Sequence, residues 1–139
     1  MKKRVIGLGG IFFKSKDPAK TKQWYQDHLG IESDTYGSKF LWKSPNPALD
    51  EMRCTVWSPM AQDTDYYEPS KREFMINYRV HDLEGLMHEL NEEGVEIAGE
   101  MQTYDYGKFA WIMDPDGTKV ELWEPIDETI IDGPAVSSE

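Results

Sequence analysis

The chain has 139 residues, a single cysteine, and 26 acidic against 15 basic residues, for a net charge of -11. That length suits one compact domain with a real core. The negative charge speaks against nucleic-acid backbones and anionic membrane surfaces, and one cysteine rules out an internal disulfide or a thiolate metal cluster.

In chain order, residues 5–14 (VIGLGGIFFK) read as a strand. Asp17-Pro18 then supplies an N-cap and a proline at the first helical position, so a helix is expected as far as Leu29, with Gly30 as its stop. Trp24, Tyr25 and Leu29 are its large apolar residues. ESDTYG, KFLWKS and MRCTVWS follow as short strands separated by turn-rich text. Cys54 is expected to be a small apolar residue on the last of these. Residues 60–73 are polar and acidic and read as a solvated linker. The alternative is a flap whose tyrosines, Tyr66 and Tyr67, close over a ligand.

The order then repeats. FMINYRV reads as a strand, and Asp82 caps a helix with Leu83, Leu86, Met87 and Leu90 at i, i+3, i+4 and i+7. Gly94 ends it. VEIAGEMQTY, KFAWIM and TKVELWEP follow as strands, the last two joined by a tight turn at Asp114-Pro115-Asp116-Gly117. Residues 127–139 lack a core pattern and read as a tail. The N-terminus carries no apolar stretch of signal length, and no run reaches the ~20 apolar residues of a membrane helix, so a cytoplasmic protein is expected.

The repeat is the organising feature. The two helix-opening residues, Asp17 and Asp82, lie 65 positions apart, and TVWSP and ELWEP end 66 positions apart, at Pro59 and Pro125. The chain is thus expected to be a single α+β domain over 1–126. Its first βαβββ module spans about 4–60 and its second about 74–126, and together they form a cupped mixed sheet with helices on the outer face.

Side chains alternate along strands, so each strand offers one face to the helices and one to a cavity. The expected inward residues are Gly10, Phe12 and Lys14; Thr55 and Trp57; Met75, Asn77 and Arg79; Phe109, Trp111 and Met113; Lys119, Glu121 and Trp123. The opposite parity, including Val80, Ala110, Ile112, Val120 and Leu122, would pack under the helices. Aromatic walls around Asn77, Arg79 and Glu121 describe a small-molecule pocket, and tryptophan faces suit cations and flat rings. The bland alternative is an Arg79–Glu121 ion pair in an aromatic-filled interior.

SKDPAKTKQWYQDHLGI, VHDLEGLMHELNEEGVEI and WIMDPDGTKVELWEP together resemble the vicinal oxygen chelate superfamily, the glyoxalase, bleomycin-resistance and dioxygenase-like proteins, over residues 5–126. The resemblance implies the doubled fold, a homodimer, and in metal-dependent members two ligands per half. Those ligand positions carry over to Gly10, Thr55, Met75 and Glu121. Of these only Glu121 is a credible ligand, because Zn²⁺ and harder ions need three or more suitable donors. His28, His81 and His88 fall on helices or a helix entrance, away from the cavity.

The expected function is therefore binding of a small aromatic or cationic molecule by Phe12, Trp57, Asn77, Arg79, Phe109, Trp111 and Trp123, with no metal or other cofactor. The alternative is a lyase or isomerase of the same superfamily that uses Glu121 as general base or lone metal ligand, with Arg79 or Asn77 steadying an enolate-like intermediate. A structural or regulatory dimer is a third possibility. Gly10 is read as a bulge or close backbone approach within GLGG, which lacks the following helix that a phosphate loop needs.

Overall fold

The computed structural model describes residues 4–126 and the backbone of 135–136. The elements in chain order are β1 (Val5–Ser15), α1 (Pro18–Leu29), β2 (Ser38–Lys43), β3 (Met52–Ala61), β4 (Phe74–Val80), α2 (Leu83–Glu92), β5 (Gln102–Tyr104), β6 (Gly107–Met113), β7 (Lys119–Pro125) and β8 (Ala135–Val136). The α+β class read from the sequence is borne out. The chain divides into two compact units, one of residues 1–9 and 65–127, the other of 10–64 and 128–139.

In the unit containing α2, the strand order is β5-β6-β7-β4, with the start of β1 beside β4. β4 and β7 run parallel, and β6 is antiparallel to both β5 and β7. The apolar stripe of α2 packs on one face of these strands. Val80, Leu83, Leu86, Ala110 and Leu122 form the buried cluster, with Tyr78, Met87, Leu90, Ile112 and Val120 against it. Full burial of a leucine such as Leu83 contributes about 1.5–3 kcal/mol. Asp82 opens α2 in the left-handed region, at φ 41°, and its side chain accepts from the Gly85 amide. Aspartate is one of the few side chains that tolerate that conformation. The Asp114–Gly117 turn forms as expected. Asp114 Oδ1 accepts from the amides of Asp116 and Thr118, and Gly117 has φ 80°.

In the unit containing α1, the order is β1-β3-β2-β8. Asp17 caps α1 and left-handed Gly30 closes it, as read from the sequence. Cys54 is buried on β3. ESDTYG departs from expectation: it forms a turn rather than a strand, with only an isolated bridge between Asp34 and Gly37. The cause is local. Asp34 Oδ1 accepts from the Tyr36 amide, and Gly37 takes φ 102°, which closes the chain on itself. This half is therefore βαββ where βαβββ was expected. The expected tail at 127–139 falls outside the described residues, except that β8 pairs in parallel with Lys39 and Phe40 of β2.

Register corrects the repeat at one point. Phe12 sits opposite Ser58 in the β1–β3 pair, and Asn77 opposite Glu121 in the β4–β7 pair. Phe12 and Asn77 are equivalent by the helix caps, so Ser58, not Thr55, is the counterpart of Glu121. The first module is two residues longer between its paired strands. The alignment of TVWSP with ELWEP is therefore three residues out, and an odd slip moves side chains to the other face.

Candidate functional site

The α2 unit brings six of the expected residues onto one sheet face. Across the β4–β7 pair, Asn77 lies opposite Glu121 and Arg79 opposite Trp123. Across the β6–β7 pair, Phe109 lies opposite Trp123 and Trp111 opposite Glu121. The intervening residues face α2, so these six point away from it.

Glu121 is the centre, only 2 % exposed. Its Oε1 accepts from Asn77 Nδ2 at 2.6 Å. Its Oε2 accepts from Trp111 Nε1 at 2.8 Å and from the Tyr66 hydroxyl at 2.5 Å. Such partners are what a buried carboxylate requires, since leaving it unpaired is costly. Lys119 Nζ donates to the Tyr66 carbonyl at 2.8 Å and lies 5.5 Å from the Tyr66 ring and 5.4 Å from that of Trp111. Burial lowers the pKa of this ammonium, against the opposing pull of Glu121.

Beside this centre is an aromatic stack. The Arg79 guanidinium lies 4.9 Å from the Trp123 ring, and Trp123 stacks on Phe109 at 5.9 Å with planes 9° apart. Tyr104 and Tyr106 meet Phe109 edge-on. Gly107 admits the stack: a Cβ there would fall 2.6 Å from Trp123 Nε1.

The sequence reading missed Tyr104 and Tyr106 and underweighted Tyr66 and Tyr67. The solvated-linker expectation fails at the latter pair. Tyr67 is 1 % exposed and Tyr66 reaches Glu121, closer to the flap alternative. The available signal was two adjacent aromatics in an otherwise acidic stretch. Burial first, and then the Glu121 charge, push the hydroxyl pKa of both tyrosines well above the ordinary range, so both stay protonated donors.

The two remaining expected residues lie in the other unit. Trp57 is not on a face turned away from the helix. Its ring sits 4.9 Å from Tyr25 of α1 and 5.5 Å from Phe13, so it belongs to the helix-packed side, as the register requires. Phe12, next to Phe13, points to the opposite face of β1 from α1. Gly10 is less crowded than its neighbour. A Cβ on Gly9 would lie 2.0 Å from Asn77 Oδ1, so Gly9 is the true close approach in GLGG.

The donor set does not fit the metal site that the resemblance implies. Gly10 brings no side chain, Met75 is a buried thioether, and the register removes Thr55 from equivalence with Glu121. Three hydrogens from Asn77, Trp111 and Tyr66 point at the Glu121 oxygens, and they would repel a cation. Among the described residues no group of three or more His, Cys, Asp or Glu side chains converges. His28, His81 and His88 are all exposed. A cavity of about 280 Å³ is lined by Arg72, Phe74, Ile76, Tyr78, Lys119 and Val120, and of these Lys119 also reaches Tyr66.

A repeated strand-helix-strand scaffold with a buried acid among aromatics on the helix-free face defines a class of α+β domain with a built-in polar centre. The chain belongs to the Glyoxalase/Bleomycin resistance protein/Dioxygenase superfamily, whose pattern it matches over residues 8–122. No protein with a curated function matches it in sequence. Among solved structures it is similar to methylmalonyl-CoA epimerase from Mycobacterium tuberculosis, at 20% identity and TM-score 0.59, over 93% of this chain and 94% of that one. It is also similar to a superfamily member from Vibrio splendidus 12B01, at 17% identity and TM-score 0.51, over 84% and 98% of the two chains. A structure described as NAD-dependent benzaldehyde dehydrogenase from Legionella pneumophila aligns at 15% identity and TM-score 0.54, over 84% and 97%. These likenesses support the fold alone. No helix among the described residues is long and apolar enough to cross a membrane.

Proposed function

We propose that the protein binds a small aromatic molecule on the helix-free face of the α2 unit, with Glu121 as the polar anchor and without a metal ion. The observation that carries this reading is the donor shell of Glu121. Asn77, Trp111 and Tyr66 hold a buried carboxylate in one orientation as a fixed acceptor, beside the apolar surfaces of Trp111, Phe109 and Trp123. Apolar walls with a few fixed polar groups are the general form of a small-molecule site. Self-pairing belongs to the same reading, because α1 buries none of its own residues and leaves Trp24 and Leu29 more than half exposed.

The test is a titration with a panel of aromatic alcohols, amines and quaternary ammonium compounds, read by tryptophan fluorescence and melting temperature. Saturable quenching with a rise in melting temperature is expected for at least one class. A flat response across the panel would remove the proposal.

A second reading takes Glu121 as the general base of an isomerase, and one contact favours it: the Tyr66 hydroxyl next to Oε2 pairs an acid with a base. Three of roughly four lone-pair positions of the carboxylate are already engaged, which leaves little of it for a substrate proton. Deuterium exchange from solvent into carbonyl acids at the α-carbon, lost in Glu121→Gln, would favour this second reading.

A further inference from the structure

We propose that Tyr66 is an internal stand-in for the ligand, and that the molecule the site is built to take is a neutral hydroxyaromatic compound that displaces the Tyr66 phenol from Glu121. This rests on the binding reading above and makes its ligand specific.

The Glu121 carboxylate is closed off from solvent by its own donors. Glu121 is 2 % exposed, so nothing reaches its carboxylate unless a neighbour leaves. Of its three donors, Asn77 is 2 % and Trp111 9 % exposed, and both are fixed within the β-strands. Tyr66 is 38 % exposed and sits on the connection between β3 and β4. Tyr66 is therefore the donor that can withdraw into solvent. Tyr67, at 1 % exposure, anchors the connection next to it. Such an arrangement lets one side chain swing while the chain stays in place.

If Tyr66 withdrew with no replacement, the buried carboxylate would lose a charge-assisted hydrogen bond, so opening is favourable only when the incoming molecule supplies a donor. The space vacated is that of a para-substituted phenol. Its ring contacts include a T-shaped meeting with Trp111, with centroids 6.2 Å apart, and the Lys119 ammonium at 5.5 Å. A flat ring keeps both contacts. An organic cation would meet Lys119 as a like charge, which costs binding. The place Tyr66 fills lies between the Glu121 carboxylate and the Lys119 ammonium, whose charges offset, and Tyr66 itself fills it as a neutral phenol, so the geometry favours a neutral phenol over an organic cation.

The apparent affinity of such a ligand is its intrinsic affinity reduced by the fraction of molecules with Tyr66 withdrawn. Weakening the plug should tighten binding. The experiment is calorimetric titration of the wild type, Tyr66→Phe and Tyr66→Ala with 4-methylphenol, and with toluene and benzylammonium as controls. Tyr66→Phe keeps the ring and removes only the hydroxyl, so it is the variant least exposed to misfolding. The expected result is 4-methylphenol binding roughly tenfold tighter in Tyr66→Phe than in the wild type. Tyr66→Ala should bind it more tightly again, and in each protein it should bind better than either control. Equal or weaker binding in Tyr66→Phe would overturn the proposal, as would toluene matching 4-methylphenol in Tyr66→Ala. If the wild type binds aromatic compounds but their affinity ignores Tyr66, the plug falls and the binding reading stands. If Tyr66→Ala prefers 4-methylphenol while the wild type binds nothing in the panel, the plug stands and the binding reading falls.

Discussion

Glu121 depends on a chain of close fits that begins at Gly9. A Cβ on Gly9 would lie 2.0 Å from Asn77 Oδ1, and Asn77 is one of the three donors to Glu121. Gly9→Ala should therefore push the amide off the carboxylate, and leaving a buried charged acceptor short of a partner costs about 1–3 kcal/mol. Urea unfolding should show this loss for Gly9→Ala and a smaller one for the same change made in an Asn77→Ala background, where the amide that the Cβ would strike is gone. Equal losses would mean that the Asn77 contact carries no weight. Tyr66 offers a test by pH. Its folded pKa is raised above the ordinary tyrosine value of about 10, chiefly by burial. Its contribution is then full below about pH 10 and is lost as pH rises beyond that, because only the unfolded chain ionises there. The melting-temperature gap between the wild type and Tyr66→Phe should stay constant from pH 7 to 9 and shrink above 10. A gap that widens with alkali would contradict the burial of that hydroxyl.

The helices were legible in the sequence because their signals are local. Asp17-Pro18 and Gly30 bound α1, and Asp82 with its Leu83, Leu86, Met87 and Leu90 stripe marks α2. Alternation along β4, β6 and β7 likewise placed Asn77, Arg79, Phe109, Trp111, Glu121 and Trp123 on one face. Trp57 went wrong for a different reason. Pairing depends on chain length between strands, and the match of TVWSP to ELWEP was three residues out, an odd slip that puts Trp57 on the other face, where Tyr25 receives the ring. Tyr66 and Tyr67 were legible only as the flap alternative, since a connection has no periodicity to project which of its side chains turn inward. At this scale Asp82 supplies a discriminating pair of variants. Its φ of 41° suits glycine, and its side chain caps α2. Asp82→Ala loses both the cap and an easy backbone and should cost about 1–2 kcal/mol, whereas Asp82→Gly loses only the cap and should cost a few tenths. Thermal melts that rank the two the other way would refute that division.

For the molecule as a whole, net charge, repeat and register point the same way. The chain carries a net charge of -11, a doubled scaffold and, at Glu121, a buried carboxylate enclosed by donors. The exposed Trp24 and Leu29 on α1 lead to an expected dimer by light scattering, shifted toward monomer by Trp24→Lys; a wild-type monomer at working concentration would dispose of the pairing. Glu121 is proposed to anchor an organic ligand and not an ion. Calorimetric titration of the wild type and Glu121→Gln, with 4-methylphenol and separately with Mn²⁺, Co²⁺ and Zn²⁺, addresses it most directly. The expected result is saturable binding of the phenol, weakened roughly tenfold or more by Glu121→Gln, and no ion binding that depends on Glu121. Stoichiometric uptake of a divalent ion by the wild type, abolished in Glu121→Gln, would contradict it.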